Sequence, residues 1–154
     1  VAAGAGANLA LACDIVVVSQ SANFIQAFSK IGLIPDSGGT YFLPRLIGLP
    51  KATALMMTGE SVSAEKAEQM GMIYAVYADA EFESKSLELA KSISEMPTKG
   101  LGYTKKLLNH SLNNTLEEQL DLEAETQALS AKSEDHKEGI QAFLEKRKPV
   151  FTGK

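Results

Sequence analysis

The sequence predicts an α/β fold with its strands confined to the first half of the chain. Three observations carry that expectation. Ile15-Val16-Val17-Val18 sets four β-branched residues in a row, the composition of a short strand buried on both faces. Pro35 and the pair Gly38-Gly39 break any periodic element between residues 32 and 40, and helix-spaced apolar residues resume beyond it. After Asp79 strand-like runs cease and helical spacing continues to about residue 147.

Taken in order, Ala3 to Ala7 reads as a small, flexible segment and Asn8 to Ala12 as a short helix. Asp14 to Ser19 is the first strand and Ser21 to Ile25 the second. Gly32 to Thr40 is a loop, and Tyr41 to Ile47 spaces its apolar residues as a helix despite Pro44. Pro50 sits in the tolerated first turn of a helix that runs from Lys51 to Thr58 and stops at Gly59. Ser63 to Met70 is a further short helix closed by Gly71, and Ile73 to Tyr77 a short strand. Four helices follow, over 79–96, 98–111, 115–131 and 134–147, punctuated by Pro97, Asn113-Asn114 and Ser133. Thr115 and Glu118 have the spacing of a capping box, in which hydroxyl and carboxylate each satisfy an orphan amide. The expected organisation is an α/β part over residues 1–78 and a helical part over 79–154. So few strands make no stable sheet alone, and the chain opens inside a Gly/Ala loop without an initiator Met. Both features lead to the expectation of further strands upstream.

Composition narrows the function classes. The chain has 154 residues, 45% hydrophobic and 22% charged, with a net charge of −4. A pI near 5.2 argues against a general nucleic-acid binder, which needs surplus Lys and Arg to meet phosphates. The lone Cys13 excludes an intrachain disulfide framework and a multi-cysteine zinc site. No apolar stretch reaches the roughly 18–20 residues that span a bilayer. The alanine-rich start has no basic segment before it and meets Asp14 at once, unlike a signal peptide. A reducing cytoplasm, no membrane partner and no metal are the expectations.

Two segments have chemical potential, and each admits two readings on its local sequence. Gly4-Ala5-Gly6 before a helix is either a tightly packed loop or a place where backbone N–H groups meet a ligand oxygen, the apparatus of an oxyanion hole. Asp36, in Ile34-Pro35-Asp36-Ser37-Gly38-Gly39, is either a turn or N-cap aspartate or a catalytic base on a stiff turn. On the second reading Ile31, Leu33, Ile34 and Phe42 enclose it in apolar surroundings. His110 and His136 read as solvated or capping residues, Cys13 as a small buried hydrophobe, and Met56, Met57, Met70 and Met72 as core. Lys146-Arg147-Lys148 is a solvated helix end or a phosphate contact.

Together these segments resemble the crotonase, or enoyl-CoA hydratase/isomerase, superfamily. The resemblance rests on Ala2 to Ile15, Phe24, the Gly32–Thr40 loop and Leu43-Pro44-Arg45-Leu46-Ile47-Gly48. It continues through Leu55-Met56-Met57-Thr58-Gly59, Ser63-Ala64-Glu65-Lys66-Ala67, Gly71-Met72-Ile73 and Ala142 to Pro149. It implies the C-terminal part of a spiral of ββα units followed by a helical trimerisation region. It implies an acyl-CoA thioester as substrate, with coenzyme A as part of that substrate and no separate cofactor, and a homo-oligomer, trimer or hexamer. The thioester oxygen would be held by the Ala5 N–H, in the substrate-contacting Gly4-Ala5-Gly6 loop, and by a second donor in a part of the family's length upstream of this sequence. Phe143 and Lys146 match family positions near the CoA adenine and phosphates, across a subunit boundary.

Departures from the hydratase pattern set the subclass. The two glutamates with which the family's hydratases hold water fall on Asn8 and Phe28, leaving Asn8 as a substrate contact. An amide is no general base and a phenyl ring binds no water. Asp36 stands where several isomerases place a catalytic aspartate. Ile34 to Thr40 followed by Leu43-Pro44-Arg45-Leu46 is most similar to the family's ring-epoxide isomerases, which also shift enoyl double bonds. A straight-chain enoyl- or dienoyl-CoA isomerase or hydratase is the alternative within the family, and a non-catalytic oligomerisation module the alternative outside it.

Overall fold

In the computed structural model, which describes residues 1–154, the chain divides into two units, Val1–Ser86 and Leu87–Lys154. The first holds all five strands. Strand β1 (Ala2–Ala3) runs parallel to β3 (Asn23–Ile25), with Ala2 opposite Phe24. The other edge of β3 takes β4 (Ser61–Ser63) antiparallel, Phe24 facing Val62. A second, two-stranded parallel sheet joins β2 (Val17–Ser19) to β5 (Ala75–Tyr77).

Helices cover these strands. Helix α1 (Ala5–Leu11) buries Ala7, Asn8 and Leu11, which its turn brings to one side. Helix α2 (Gly39–Ile47) buries Leu43 and Ile47, one turn apart. Pro44 lies inside it without ending it; Thr40, whose carbonyl loses its usual helical donor to the proline ring, is an exposed residue. Helix α3 (Leu49–Thr58) has Pro50 in its first turn, and α4 (Ala64–Gln69) is capped by the Ser63 hydroxyl, which accepts from the Lys66 N–H at 3.3 Å. Leu11, Phe24, Leu43, Leu55, Val62 and Met72 form the centre of the core. Helix α5 (Phe82–Ser94) runs across the division between the units.

The second unit contains α6 (Thr98–Ser111), α7 (Leu116–Ser130) and α8 (Glu134–Glu145). Helices α6 and α7 pack on each other, and Gln119 Nε2 of α7 donates to the Leu107 carbonyl at 3.2 Å. The capping box at α7 is formed: Glu118 N–H donates to Thr115 Oγ1 and Thr115 N–H to the Glu118 carboxylate. Asp135, 3% exposed at the start of α8, accepts from the N–H groups of Thr152 and Gly153. The Lys154 carbonyl accepts in turn from the Glu134 N–H at 3.0 Å, so the last residues close the first turn of α8.

Several expectations are corrected. Residues 14–19 are not a strand buried on both faces. Only Val17–Ser19 pair, and they are half-buried, because their sheet has just two strands. The segment Ala3–Ala7 is not a flexible stretch: a strand ends and a helix begins within it, with Gly4 alone between them. Cys13 is exposed, since α1 ends at Leu11 and the chain turns outward beyond the buried face. Met72 is core, whereas Met57 is exposed on the outer side of α3.

Candidate active site

The Gly4 turn joins sheet to helix with no slack. Gly4 N–H donates to the Ile25 carbonyl at 2.9 Å, extending the β1–β3 ladder by one residue. Its backbone, at φ 54° and ψ −126°, is a conformation that a side chain disfavours. A Cβ there would also touch the Phe28 ring at 3.5 Å. Helix α1 starts at the next residue, so the N–H groups of Ala5, Gly6 and Ala7 have no acceptor inside the helix. A Cβ at Gly6 would meet nothing within 4 Å, so packing in this chain does not demand glycine there. The result is a short row of orphan donors at a helix start, with open space beside its second residue.

Asp36 lies on a turn fixed from several sides. Ser37 (φ 49°) and Gly38 (φ 78°) both take left-handed backbone, and the Gly39 N–H closes the turn on the Asp36 carbonyl at 2.9 Å. The same carbonyl accepts from Asn8 Nδ2 at 2.9 Å. Asn8 is fully buried, and its Oδ1 accepts from Gln26 Nε2 at 2.7 Å. The structure therefore ties the Asp36 turn to the helix that begins at Ala5. The apolar enclosure expected around Asp36 is not formed within this chain. Asp36 itself is exposed, as are Ile31, Leu33 and Ile34.

One sequence expectation changes here. Asn8, expected to touch substrate, has its amide spent on Asp36 and Gln26 and no exposed surface. Phe28, 6% exposed, fills the space behind Gly4. Sequence reasoning also missed Gln26 and Gly39. Their signals were present: a lone amide between Ile25 and Ala27, and a second glycine where one would have made the turn. A Cβ at Gly39 would sit 2.3 Å from Asn8 Nδ2.

The whole chain, residues 1–154, matches the family model described as enoyl-CoA hydratase/isomerase. The chain belongs to the enoyl-CoA hydratase/isomerase family. It is 50% identical over 154 residues to the 1,2-epoxyphenylacetyl-CoA isomerase of Escherichia coli K12, covering 100% of this chain and 59% of that protein. It is 40% identical over 152 residues to the trans-2-decenoyl-[acyl-carrier-protein] isomerase of Streptococcus mutans, covering 99% of this chain and 58% of the relative. Among solved structures it is similar to "Enoyl-CoA Hydrates Subunit I" of Geobacillus kaustophilus HTA426. That likeness has a TM-score of 0.95 at 38% identity, over 99% of this chain and 60% of the other. This enoyl-CoA hydratase/isomerase chain thus spans about 59% of the length of the curated relatives it matches. The α/β architecture followed by helices is that of the crotonase fold.

The remaining predicted residues lie in the second unit. Phe143 is 82% exposed on α8 and borders an open pocket of about 400 Å³ lined also by Pro97, Ser130, His136, Ile140 and Phe151. Lys146 ends α8 in left-handed backbone (φ 55°), with the Arg147 N–H returning to the Ala142 carbonyl at 3.0 Å. Arg147 grips both oxygens of Glu138, at 2.9 Å for the Nη2–Oε2 pair. That hydrogen bonding, helped by the Val150 N–H, holds the Glu138 carboxyl down at about 2. The expected solvent-facing histidines, His110 and His136, are exposed. No three His, Cys, Asp or Glu side chains are grouped to hold a metal ion, and no helix is long and apolar enough to cross a membrane.

Proposed function

We propose that the protein carrying this chain is a CoA-thioester isomerase with Asp36 as its proton-transfer group and the Ala5 N–H as one oxyanion donor. The observation that carries the reading is the coupling of the Asp36 turn to α1, with an amide and a phenyl ring at the positions the resemblance gives to a hydratase's carboxylates. The thioester oxygen accepts from Ala5 N–H and from a second donor in the length of the relatives that this chain does not span. Charge stabilised there acidifies the carbon beside the carbonyl. Asp36 takes a proton from one carbon and returns it to another, so the substrate's composition is unchanged and no water enters. Open space at Gly6 lets the acyl chain approach the donors. Phe143 and Lys146 meet the CoA adenine and phosphates, and both are exposed and free to do so. The exposed Leu108 of α6, Leu112 just beyond it, and Leu116 and Leu120 of α7 form part of a contact between subunits of a homo-oligomer.

For the substrate, similarity to the Escherichia coli protein favours 2-(1,2-epoxy-1,2-dihydrophenyl)acetyl-CoA. The Streptococcus mutans relative supports a second reading, a straight-chain enoyl thioester isomerase. Rates on an epoxyphenylacetyl thioester, a 3-enoyl thioester and a 2-enoyl thioester separate epoxide isomerisation, double-bond migration and hydration. Asp36→Asn should lower turnover about 10²–10⁴-fold with substrate binding kept, because an amide cannot carry the proton. Normal turnover by Asp36→Asn would remove Asp36 from the chemistry.

A further inference from the structure

The amide of Asn8 sits between two segments that isomerisation has to keep in register, and its connections are those of a strut. Its side chain has no exposed surface. One end donates to the backbone carbonyl of Asp36 at 2.9 Å, and the other accepts from Gln26 Nε2 at 2.7 Å. An amide does both at its two ends, whereas a carboxylate has no proton to give the carbonyl and an aliphatic side chain satisfies neither partner. Gly39, the first residue of α2, leaves no room for a Cβ against this amide, so the side chain is confined on that face too. Gln26 is itself 3% exposed, and its Oε1 has no hydrogen-bond partner. The hydrogen bonding of the Gln26 side chain is therefore with Asn8 alone. Asn8 is in turn carried on α1, the helix that opens with Ala5.

We propose that Asn8 is a positioning residue for Asp36: it fixes the backbone of the base relative to the helix that presents the oxyanion donor, with Gln26 bracing it from behind. This rests on the reading of Asp36 as the proton-transfer group. Asn8 does not touch substrate. It sets where the Asp36 carboxylate stands while Ala5 holds the thioester oxygen. Displacing a reacting group by about 1 Å can cost 10²-fold in rate, and the two bonds of Asn8 resist such a shift.

The test is a kinetic cycle on the native protein that carries this sequence, with a thioester it isomerises. Asn8→Ala should lower kcat about 10–100-fold while KM moves less than about 3-fold, because positioning is lost and binding is not. Gln26→Leu, which frees Asn8 without touching its bond to Asp36, should give the same split with a smaller loss. In an Asp36→Asn background both exchanges should cost less than about 2-fold, because there is no base left to position. An Asn8→Ala or Gln26→Leu loss of equal size in both backgrounds, or one that appears in KM alone, overturns the proposal. So does a folded Asn8→Ala with unchanged kcat. If Asn8→Ala does not fold, the Gln26→Leu cycle decides by the same criterion. Full turnover by Asp36→Asn overturns the base assignment itself, and is read separately from the Asn8 cycle.

Discussion

Gly39→Ala should destabilise the protein even though it puts a better helix former at a helical position. Alanine in place of glycine in a helix is worth about 0.5–1 kcal/mol in favour of the variant. Against this, the added Cβ would lie 2.3 Å from Nδ2, 2.5 Å from Cγ and 2.7 Å from Oδ1 of Asn8. These atoms are fully buried and held at both ends, so they can yield only by giving up their bonds to Asp36 and Gln26. Leaving buried polar groups unpaired costs about 1–3 kcal/mol each, so two lost bonds outweigh the helical gain and leave a net loss of about 3 kcal/mol. Urea unfolding of the native protein measures it. The same exchange in an Asn8→Ala background meets no amide, and should be neutral or stabilising by about 0.5–1 kcal/mol. The coupling between the two sites should then reach about 3–4 kcal/mol, at or just above the upper end for residues in direct contact. Equal costs in the two backgrounds, within about 0.5 kcal/mol, would refute the reasoning.

Other perturbations test the second unit. Asp135→Ala removes the acceptor of the Thr152 and Gly153 amides, and should cost about 2–3 kcal/mol in urea unfolding and expose residues 150–154 to fast amide exchange. Glu138 titrates lower folded than unfolded, so its contribution is whole above its ordinary carboxyl range and fades as pH falls towards about 2. Acid titration of stability should show that slope in the wild type and a weaker one in Glu138→Gln. Added salt should reduce the difference, because the Arg147–Glu138 pair is partly exposed.

Much of the helical framework was legible because its signals are local. Pro50, Ser63, the Thr115–Glu118 pair and Ser133 each act within one turn, and α3, α4, α7 and α8 begin beside them. The strands were harder. Ala2–Ala3 and Ser61–Ser63 are too short to show alternation, and each owes its state to Phe24 and its neighbours far along the chain. The site was legible in part for a related reason. Glycines and a Pro-Asp turn mark the Gly4 and Asp36 loops locally, whereas the role of Asn8 depends on a bond across 28 positions of sequence. The family resemblance, which puts a hydratase's glutamate at this position, read it as a substrate contact. Its place on the same side of α1 as Ala7 and Leu11 pointed inward.

The missing side chain at Gly39 also bears on how chemistry can diverge in this family. A glutamate at residue 8 would need one more methylene in a space already closed by the backbone of α2. Its carboxylate would face the Asp36 carbonyl, lone pair against lone pair, with Gln26 as the sole donor at hand. At residue 28 the Phe ring props the Gly4 turn. A glutamate at residue 8 is therefore not an exchange that this interior accepts alone. Its fit is set by residues 26 and 39, so exchange at this buried position is coupled to those neighbours.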